Sequence, residues 1–307
     1  MQKVLILGAT GRFGRAAATA FQDAGWHVTQ TARRWSEAGA GRVTLDPSDA
    51  AAVTEAAQGQ DVIVNAVNPP YPDWSVVVPR LTRSVIAAAK ATGATVMIPG
   101  NLYNYGAAMP EVLREDTPWT AQTRKGAIRI RMESAYRDAG VRTTVLRGGD
   151  FLEAEPSGNW FDAHIAVRAW EGKVMYPGPR NIVHAWAWLP DMAAAMAALA
   201  DRRDAFDPFV EFGFEGYALT GDDLIALIEQ AVGRPMRVRG MPWPMVRAMG
   251  LVSPLMREVV EMRYMWRVPH RVDGTRLSQV LPDLPSTPPA QAIAAALAAR
   301  KPAALTE

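Results

Sequence analysis

The sequence of 307 residues contains no cysteine, and this excludes disulfides, thiolate nucleophiles and cysteine-based metal sites. Four scattered histidines do not have metal-ligand spacing, so we expect no metal. The absence of a Gly-x-Ser-x-Gly elbow argues against an ester hydrolase. A net charge of only +2, without a Lys/Arg block, predicts no nucleic-acid partner.

Long apolar runs and targeting signals are also missing. No stretch of about 18 uninterrupted apolar residues is present, so we predict neither a membrane-spanning segment nor a membrane partner. The N-terminus is strand-like from its third residue and has no signal or transit character. We therefore expect a cytoplasmic protein whose partner is a small-molecule substrate.

Strand and helix patterns alternate through the first half of the chain and predict an α/β fold with a doubly wound parallel sheet. After Arg147 the rhythm breaks, and aromatic, glycine and proline residues precede a mostly helical tail. We predict a first domain over 1–150, rejoined by about 181–215. A smaller, mostly helical C-terminal substrate lobe is predicted from 151–180 and 216–307. The predicted elements are strands at Val4–Leu7, Trp26–Thr31, Asp61–Asn65, Thr95–Ile98, Val141–Arg147 and Phe209–Phe214, and helices at Arg12–Ala24, Ser48–Gln58, Val76–Thr92, Arg124–Ala139 and Asp191–Ala200.

A glycine turn between the first strand and the first helix is the most informative motif. Its glycines, Gly8, Gly11 and Gly14, allow a tight turn and close approach of a pyrophosphate to the helix N-terminus. Such a turn in this context predicts a Rossmann-type dinucleotide site, although an ordinary β-to-α turn is the alternative. The expected cofactor contacts in the turn are Gly8, Thr10, Gly11, Arg12, Phe13 and Gly14.

The end of the second strand bears on the choice of dinucleotide. NAD-binding proteins usually place an acid there for the ribose, whereas this chain has Arg33 and Arg34. Guanidinium groups suit a 2′-phosphate, and Arg12 can assist from the glycine turn. NADP(H) is therefore favoured over NAD(H), unless Arg33 and Arg34 are merely solvated surface residues.

The order of several motifs resembles the extended short-chain dehydrogenase/reductase superfamily, of the NAD(P)-dependent epimerase/dehydratase type. The resemblance implies that Asp46 contacts the adenine and that Asn65, Ala66 and Val67 run alongside the cofactor. It rests on the glycine turn together with Leu45-Asp46, Asn65-Ala66-Val67, Tyr103–Gly106, Glu115–Pro118, Leu146–Asp150 and His184–Ala193.

The usual proton-transfer residues of that superfamily are replaced. The chain has no Tyr-x-x-x-Lys, and alignment on Glu133 puts Lys125 at the Tyr position and Arg129 at the Lys position. Asn101 takes the place of the Ser or Thr. A nearby arginine would lower the pKa of a partly buried lysine, so Lys125 can serve as general acid or base, while Arg129 holds the nicotinamide ribose. Tyr103 is a further acid candidate, and the alternative is that Lys125 and Arg129 lie on the helix surface.

Aromatic residues of the second lobe predict a substrate with apolar character. Phe151, Trp160, His164 and Trp186 are the expected substrate contacts, although core packing is the alternative for each. The leading interpretation is an NADP(H)-dependent oxidoreductase that acts on a small, partly apolar carbonyl-type substrate. The alternatives are an epimerase or dehydratase that retains NAD(P), and a non-catalytic NADP-sensing regulator. The resemblance also implies a homodimer formed through helices 76–92 and 124–139.

Overall fold

The computed structural model describes residues 1–302, in which strands and helices alternate as the sequence predicts. The strands are β1 (Lys3–Leu7), β2 (His27–Ala32), β3 (Arg42–Thr44), β4 (Val62–Asn65), β5 (Thr95–Gly100), β6 (Val112–Leu113), β7 (Thr143–Arg147), β8 (Asp150–Leu152), β9 (Lys173–Tyr176), β10 (Val183–Trp188), β11 (Phe209–Gly213), β12 (Tyr217–Thr220), β13 (Arg237–Gly240) and β14 (Arg271–Val272). The helices are α1 (Arg12–Asp23), α2 (Ala50–Ala56), α3 (Trp74–Thr92), α4 (Arg124–Asp138), α5 (Leu189–Asp201), α6 (Gly221–Val232), α7 (Trp243–Met249), α8 (Pro254–Glu261), α9 (Thr275–Val280) and α10 (Pro289–Ala298).

Seven parallel strands form the central sheet in the order β11-β7-β5-β4-β1-β2-β3. Its inner strands are continuous apolar runs because helices cover both faces, and every residue of Val4–Leu7 is fully buried. The chain order reverses between β1 and β4, which pair in register from Val4↔Val62 to Leu7↔Asn65. This is the switch point at which an open α/β sheet leaves a crevice beyond its carboxyl ends. The predicted Rossmann-type doubly wound parallel sheet is confirmed.

Local signals account for most element boundaries. Helix α1 packs Ala17, Ala18 and Phe21 against the sheet, and the chain turns after it at Gly25 with a φ of +80°. Helix α2 begins later than predicted, since Asp49 rather than Ser48 caps it by accepting from the N–H groups of Ala51 and Ala52. The side chain of Ser48 instead donates to Asp46.

The segments predicted to form the C-terminal lobe contain short strands as well as helices. Strand β10 lies in the predicted rejoining segment 181–215, but it pairs with β8 and β12 rather than with the central sheet. Helix α5 packs on α1, and β11 extends the central sheet beside β7. The capping box of Thr220 and Asp223 starts α6, which packs against α10. Residues 303–307 of the predicted lobe lie outside the described part of the chain.

Across residues 1–302, no helix has the length and apolarity that crossing a bilayer requires. The same residues contain no group of three or more His, Asp or Glu side chains arranged to hold a metal ion.

Candidate functional site

A cleft of about 410 Å³ opens at the carboxyl ends of β1 and β4, between the central sheet and the second lobe. Its floor is made by the glycine turn and by the ends of β4 and β5. Its far wall comes from the segments that follow β7. The predicted residues that line it are Thr10, Gly11, Arg12, Phe13, Asn65, Ala66, Val67, Asn101, Tyr103, Arg129, Phe151 and Trp160.

The glycine turn forms a tight cradle against the sheet. Gly8 has a φ of +78°, and a Cβ at Gly14 would lie 2.1 Å from the carbonyl oxygen of Gly8. No side chain caps the start of α1, so the N–H groups of its first turn are open to a ligand. Thr10 to Phe13 line the cleft at this point. The residues present therefore fit the pyrophosphate of a dinucleotide at a helix N-terminus.

The end of β4 lies directly beside the turn. A Cβ at Gly8 would lie 3.1 Å from Cα of Val67, so glycine permits the close approach of the two segments. Asn65 is buried and donates from Nδ2 to the Tyr136 hydroxyl at 3.1 Å, which anchors the strand end to α4. Asn65, Ala66 and Val67 thus lie together on the cleft floor.

The two arginines after β2 stand outside the cleft lining. Arg33 and Arg34 are exposed, and neither forms an ion pair with another residue of 1–302. The backbone N–H of Ala9 donates to the carbonyl of Thr31 at 2.9 Å, which holds the end of β2 beside the glycine turn. Arg12 lines the cleft and lies 3.9 Å from Glu153.

Asp46 does not reach the cleft. Its carboxylate accepts from the N–H and the hydroxyl of Ser48 at 2.9 and 2.7 Å, and these bonds lower its pKa. The side chain is exposed beyond β3. The resemblance implies that Asp46 contacts the adenine, but in this structure the Asp46 carboxylate does not face the cleft.

Arg129 is held at the cleft by a buried ion cluster. Its Nη2 donates to Oε1 of Glu133 at 3.1 Å and to the carbonyl of Pro99 at 3.2 Å. Glu133 is fully buried and also pairs with Arg147 at 2.7 Å, and the Arg147 charge helps to lower the pKa of the Glu133 carboxyl against the opposing effect of burial. Arg147 donates in turn to the carbonyl of Asn101 at 2.7 Å. The cluster thereby fixes both Arg129 and the loop after β5.

Lys125 lies one layer behind the cleft and does not line it. Its side chain is buried and ion-paired with Glu258 of α8, and it lies 3.2 Å from Glu261. Its ammonium group stands 5.2 Å from the centre of the Tyr71 ring. Burial lowers the pKa of Lys125, and the Arg124 charge acts in the same direction, whereas Glu261 opposes both. The lowering expected from the sequence is therefore present, but Arg129 is not among its causes. The expected orientation toward a nicotinamide is not observed.

Two tyrosine hydroxyls meet at the cleft wall. The hydroxyls of Tyr71 and Tyr103 share a hydrogen bond of 2.8 Å, and both residues line the cleft. Burial raises the pKa of each, and that of Tyr103 is raised well above its ordinary value. Asn101 Oδ1 accepts from the backbone N–H of Tyr103 at 3.1 Å, so this bond fixes the Asn101 side chain to the loop that carries Tyr103.

Sequence reasoning missed Tyr71 and the pair formed by Asp150 and His184. Asp150 lines the cleft, and its Oδ2 lies 2.9 Å from Nε2 of the buried His184. The His184 ring stacks on Trp266 with centroids 4.2 Å apart. Both members of the pair occur in motifs quoted for the resemblance, but nothing local in the sequence indicates that they meet. Tyr71 has no motif at all, since it follows the Pro69-Pro70 turn after β4.

The predicted substrate residues separate into two groups. Phe151 and Trp160 line the cleft, and the Phe151 ring lies 6.4 Å from that of Phe13. His164 is packed against Trp160 at 5.0 Å and lies outside the lining, and Trp186 is fully buried in the core. Trp186 therefore matches the core-packing alternative, whereas His164 is half-buried against Trp160 and only its position outside the lining is observed.

Comparisons with known proteins agree with this arrangement. The family model described as NAD(P)H-binding matches residues 8–163, half of the chain. No curated protein matches the chain closely enough to count as a relative. Among solved structures, human epimerase family protein SDR39U1 (isoform 2) with NADPH superimposes with a TM-score of 0.70 at 18% identity, covering 97% of this chain and 99% of that one.

Two bacterial epimerases also superimpose over nearly the whole chain. UDP-N-acetylglucosamine 4-epimerase from Bacillus cereus gives a TM-score of 0.75 at 14% identity, with 98% and 100% of the two chains covered. UDP-glucose 4-epimerase from Bifidobacterium longum, solved with NAD+ and UDP, gives 0.75 at 15% identity, with 97% and 98% covered. The chain therefore belongs to the NAD(P)H-binding family, and it shares its fold with these three epimerase structures.

Proposed function

We propose that the protein is an NADP(H)-dependent oxidoreductase that acts on a small, partly apolar carbonyl-type substrate. The observation that carries this proposal is the bonded pair of Tyr71 and Tyr103 in the same cleft as the glycine turn and Arg129. A proton donor and a dinucleotide cradle share one enclosed space, which carbonyl reduction requires.

The cofactor is bound by four groups of this chain in the proposal. The first-turn N–H groups of α1 hold the pyrophosphate, and Arg129 holds the nicotinamide ribose. Arg33 and Arg34 bind the 2′-phosphate of NADP, because both are exposed and neither forms an ion pair within residues 1–302. When bound, the nicotinamide supplies or accepts the hydride.

Tyr103 manages the proton at the substrate oxygen. A tyrosine hydroxyl is protonated at neutral pH, and burial, which raises the pKa of Tyr103, preserves that state. An alkoxide that forms during reduction is a stronger base than phenolate, so it can take this proton. Tyr71 returns a proton to Tyr103 through the hydrogen bond that joins the two hydroxyls, and Tyr71, which is only half-buried, regains its own proton from water. The amide nitrogen of Asn101 has no partner among the described residues and can donate to the carbonyl oxygen.

The substrate class follows from the wall beyond Tyr103. Phe151, Trp160 and Trp74 give this part of the cleft aromatic faces. Asp150, Ser157 and Asn159 place polar groups beside them, which suits a substrate that is apolar only in part. No lysine lines the cleft within residues 1–302, and Arg12, Arg15 and Arg129 are its only cations there. Such a surface favours an aryl or alkyl carbonyl over a sugar nucleotide.

The experiment is oxidation of NADPH by the purified protein with a panel of aromatic and aliphatic aldehydes and ketones. The proposal expects turnover with at least one apolar carbonyl, and less with NADH. Tight NADPH binding without turnover of any carbonyl would favour the NADP-sensing regulator instead. Co-purified NAD(P) with no net turnover would favour the epimerase or dehydratase.

A further inference from the structure

A strongly apolar tip projects from the second lobe where α7 turns into α8. Of the nine large apolar side chains that are most exposed within residues 1–302, five lie between positions 245 and 255. Leu251 and Val252, at the turn itself, are 81% and 86% exposed. The five residues, which we call the α7–α8 tip, are Met245, Met249, Leu251, Val252 and Leu255. Soluble surfaces rarely concentrate apolar groups in this way without a partner.

The charge around the tip has one sign. From Arg234 to Arg257 the sequence has five arginines and no Asp or Glu. All five arginines are exposed, and none of them is ion-paired within residues 1–302. Arg247 lies between Met245 and Met249 on α7, and Arg257 Nε reaches back to the carbonyl of Gly250 at 3.2 Å. Two of the charges therefore flank the apolar turn directly.

We propose that the α7–α8 tip docks the protein onto an anionic lipid surface. Leu251 and Val252 enter the boundary between headgroups and acyl chains, and the flanking guanidinium groups bind lipid phosphates. Binding in the interface needs no spanning helix, so the proposal is compatible with the lack of a long apolar run. It revises the sequence-based expectation of no membrane partner, which rested on spanning segments.

A second copy of the chain fits the tip less well. A two-fold contact would place the same patch of each chain face to face, and the unpaired Arg247 and Arg257 of each chain would then be brought together. A phosphate-bearing surface neutralises these charges instead. The tip also stands near the cleft, because α8 packs on the turn at Tyr71–Asp73. Docking there brings the cleft close to apolar molecules dissolved in the membrane.

Co-sedimentation of the full chain with vesicles tests the proposal. Vesicles of phosphatidylcholine alone are compared with vesicles of equal parts phosphatidylcholine and phosphatidylglycerol. The protein is expected to sediment with the anionic vesicles and to be released by added salt. Equal binding to both vesicles, or binding to neither, would overturn the proposal.

Variants locate the contact. Leu251→Ser with Val252→Ser should lower the partition coefficient at least about tenfold. Arg247→Gln should lower it about fivefold, and this variant removes no apolar packing. The matched control, Val76→Ser with Val167→Ser, removes two exposed apolar side chains elsewhere and should bind as the parent does. Unchanged vesicle binding in both tip variants would contradict the assignment.

Sedimentation velocity tests the alternative that a second copy of the chain, and not a lipid surface, covers the tip. If the parent forms a dimer that Leu251→Ser with Val252→Ser dissociates, the tip is an interface between copies and the lipid proposal fails. A sedimentation coefficient that the substitutions leave unchanged is the expected result. All these readouts are independent of turnover, so they stand apart from the proposed reaction.

Discussion

Lys125 of α4 is ion-paired with Glu258 of α8, so a helix of the dinucleotide-binding domain is joined to the second lobe by a buried charge pair. Both side chains are almost completely shielded from water, and Glu261 adds a second carboxylate at 3.2 Å. Breaking a buried pair leaves an uncompensated charge, which is costly. We therefore assign Lys125 to the joint between the lobes rather than to proton transfer.

Substitution of Lys125 by Met should destabilise the protein by about 3–5 kcal/mol, because Glu258 is left buried beside Arg124 alone. The free energy of unfolding, from urea denaturation, measures the effect. Adding Glu258→Leu should recover part of the loss, since it removes the unpaired carboxylate. If Lys125→Met unfolds like the parent while turnover collapses, Lys125 is the proton donor and our assignment is wrong.

His270 should make stability depend on pH. It is fully buried, and burial together with the neighbouring His184 lowers its pKa from 6.5 to about 3. The unfolded chain takes up this proton near pH 6.5, whereas the folded one does so only near pH 3. Stability is therefore complete above pH 6.5 and falls by up to about 1.4 kcal/mol per pH unit below it.

The variant His270→Asn isolates that contribution. An Asn amide can still donate to the carbonyl of Val268, which now accepts from Nδ1 at 2.8 Å, but it does not titrate. Unfolding free energies between pH 7 and pH 5 should fall less steeply in the variant than in the parent. If the unfolding free energies of the two proteins fall equally with pH, His270 is not the source of the pH dependence.

Removal of both arginines after β2 should change the choice of dinucleotide. Arg33→Gln with Arg34→Gln should weaken NADPH binding about tenfold for each lost charge-assisted bond, while NADH binding stays as it was. Calorimetric titration gives both dissociation constants, and Arg131→Gln, an exposed arginine on α4, is the control. Equal or tighter binding of NADH by the parent would refute the preference for NADP.

Substitution of Gly14 by Ala should damage the cradle. The new Cβ would meet the Gly8 carbonyl oxygen at 2.1 Å, so the backbone must move, and we expect a loss of about 1–3 kcal/mol in stability with weaker NADPH binding. Gly240→Ala is the matched control for Gly14→Ala, because nothing lies within 4 Å of the Cβ that it adds. Thermal unfolding with and without NADPH compares the two, and equal behaviour would count against the cradle.

The sequence was sufficient for the fold because its signals are local. The apolar run at β1, the glycine turn and the helix after it sit within 25 residues, and the structure has them as expected. The spacing of Lys125 and Arg129 likewise identified a common helix. It could not show which side chain faces the cleft, since that is decided by Glu258, a residue 133 positions away.

The parts of the candidate site that escaped sequence reasoning are contacts between distant segments. Tyr71 and Tyr103 are 32 residues apart, and Asp150 and His184 are 34 apart. Trp186 was grouped with the substrate residues because composition cannot separate a cleft wall from the core behind it. The periodicity of a sequence predicts which residues share one face of a helix or strand. It does not predict which elements pack together, and the contacts of the candidate site depend on that packing.

The rate of carbonyl reduction by Tyr103→Phe tests the central claim most directly. With a substrate that the parent reduces, kcat should fall about 10²–10⁴-fold while the dissociation constant of NADPH stays unchanged. The control Tyr217→Phe, which loses one hydrogen bond to the carbonyl of Thr287 outside the cleft, should keep its kcat. A Tyr103→Phe protein that folds, binds NADPH and turns over at the parental rate would contradict the account.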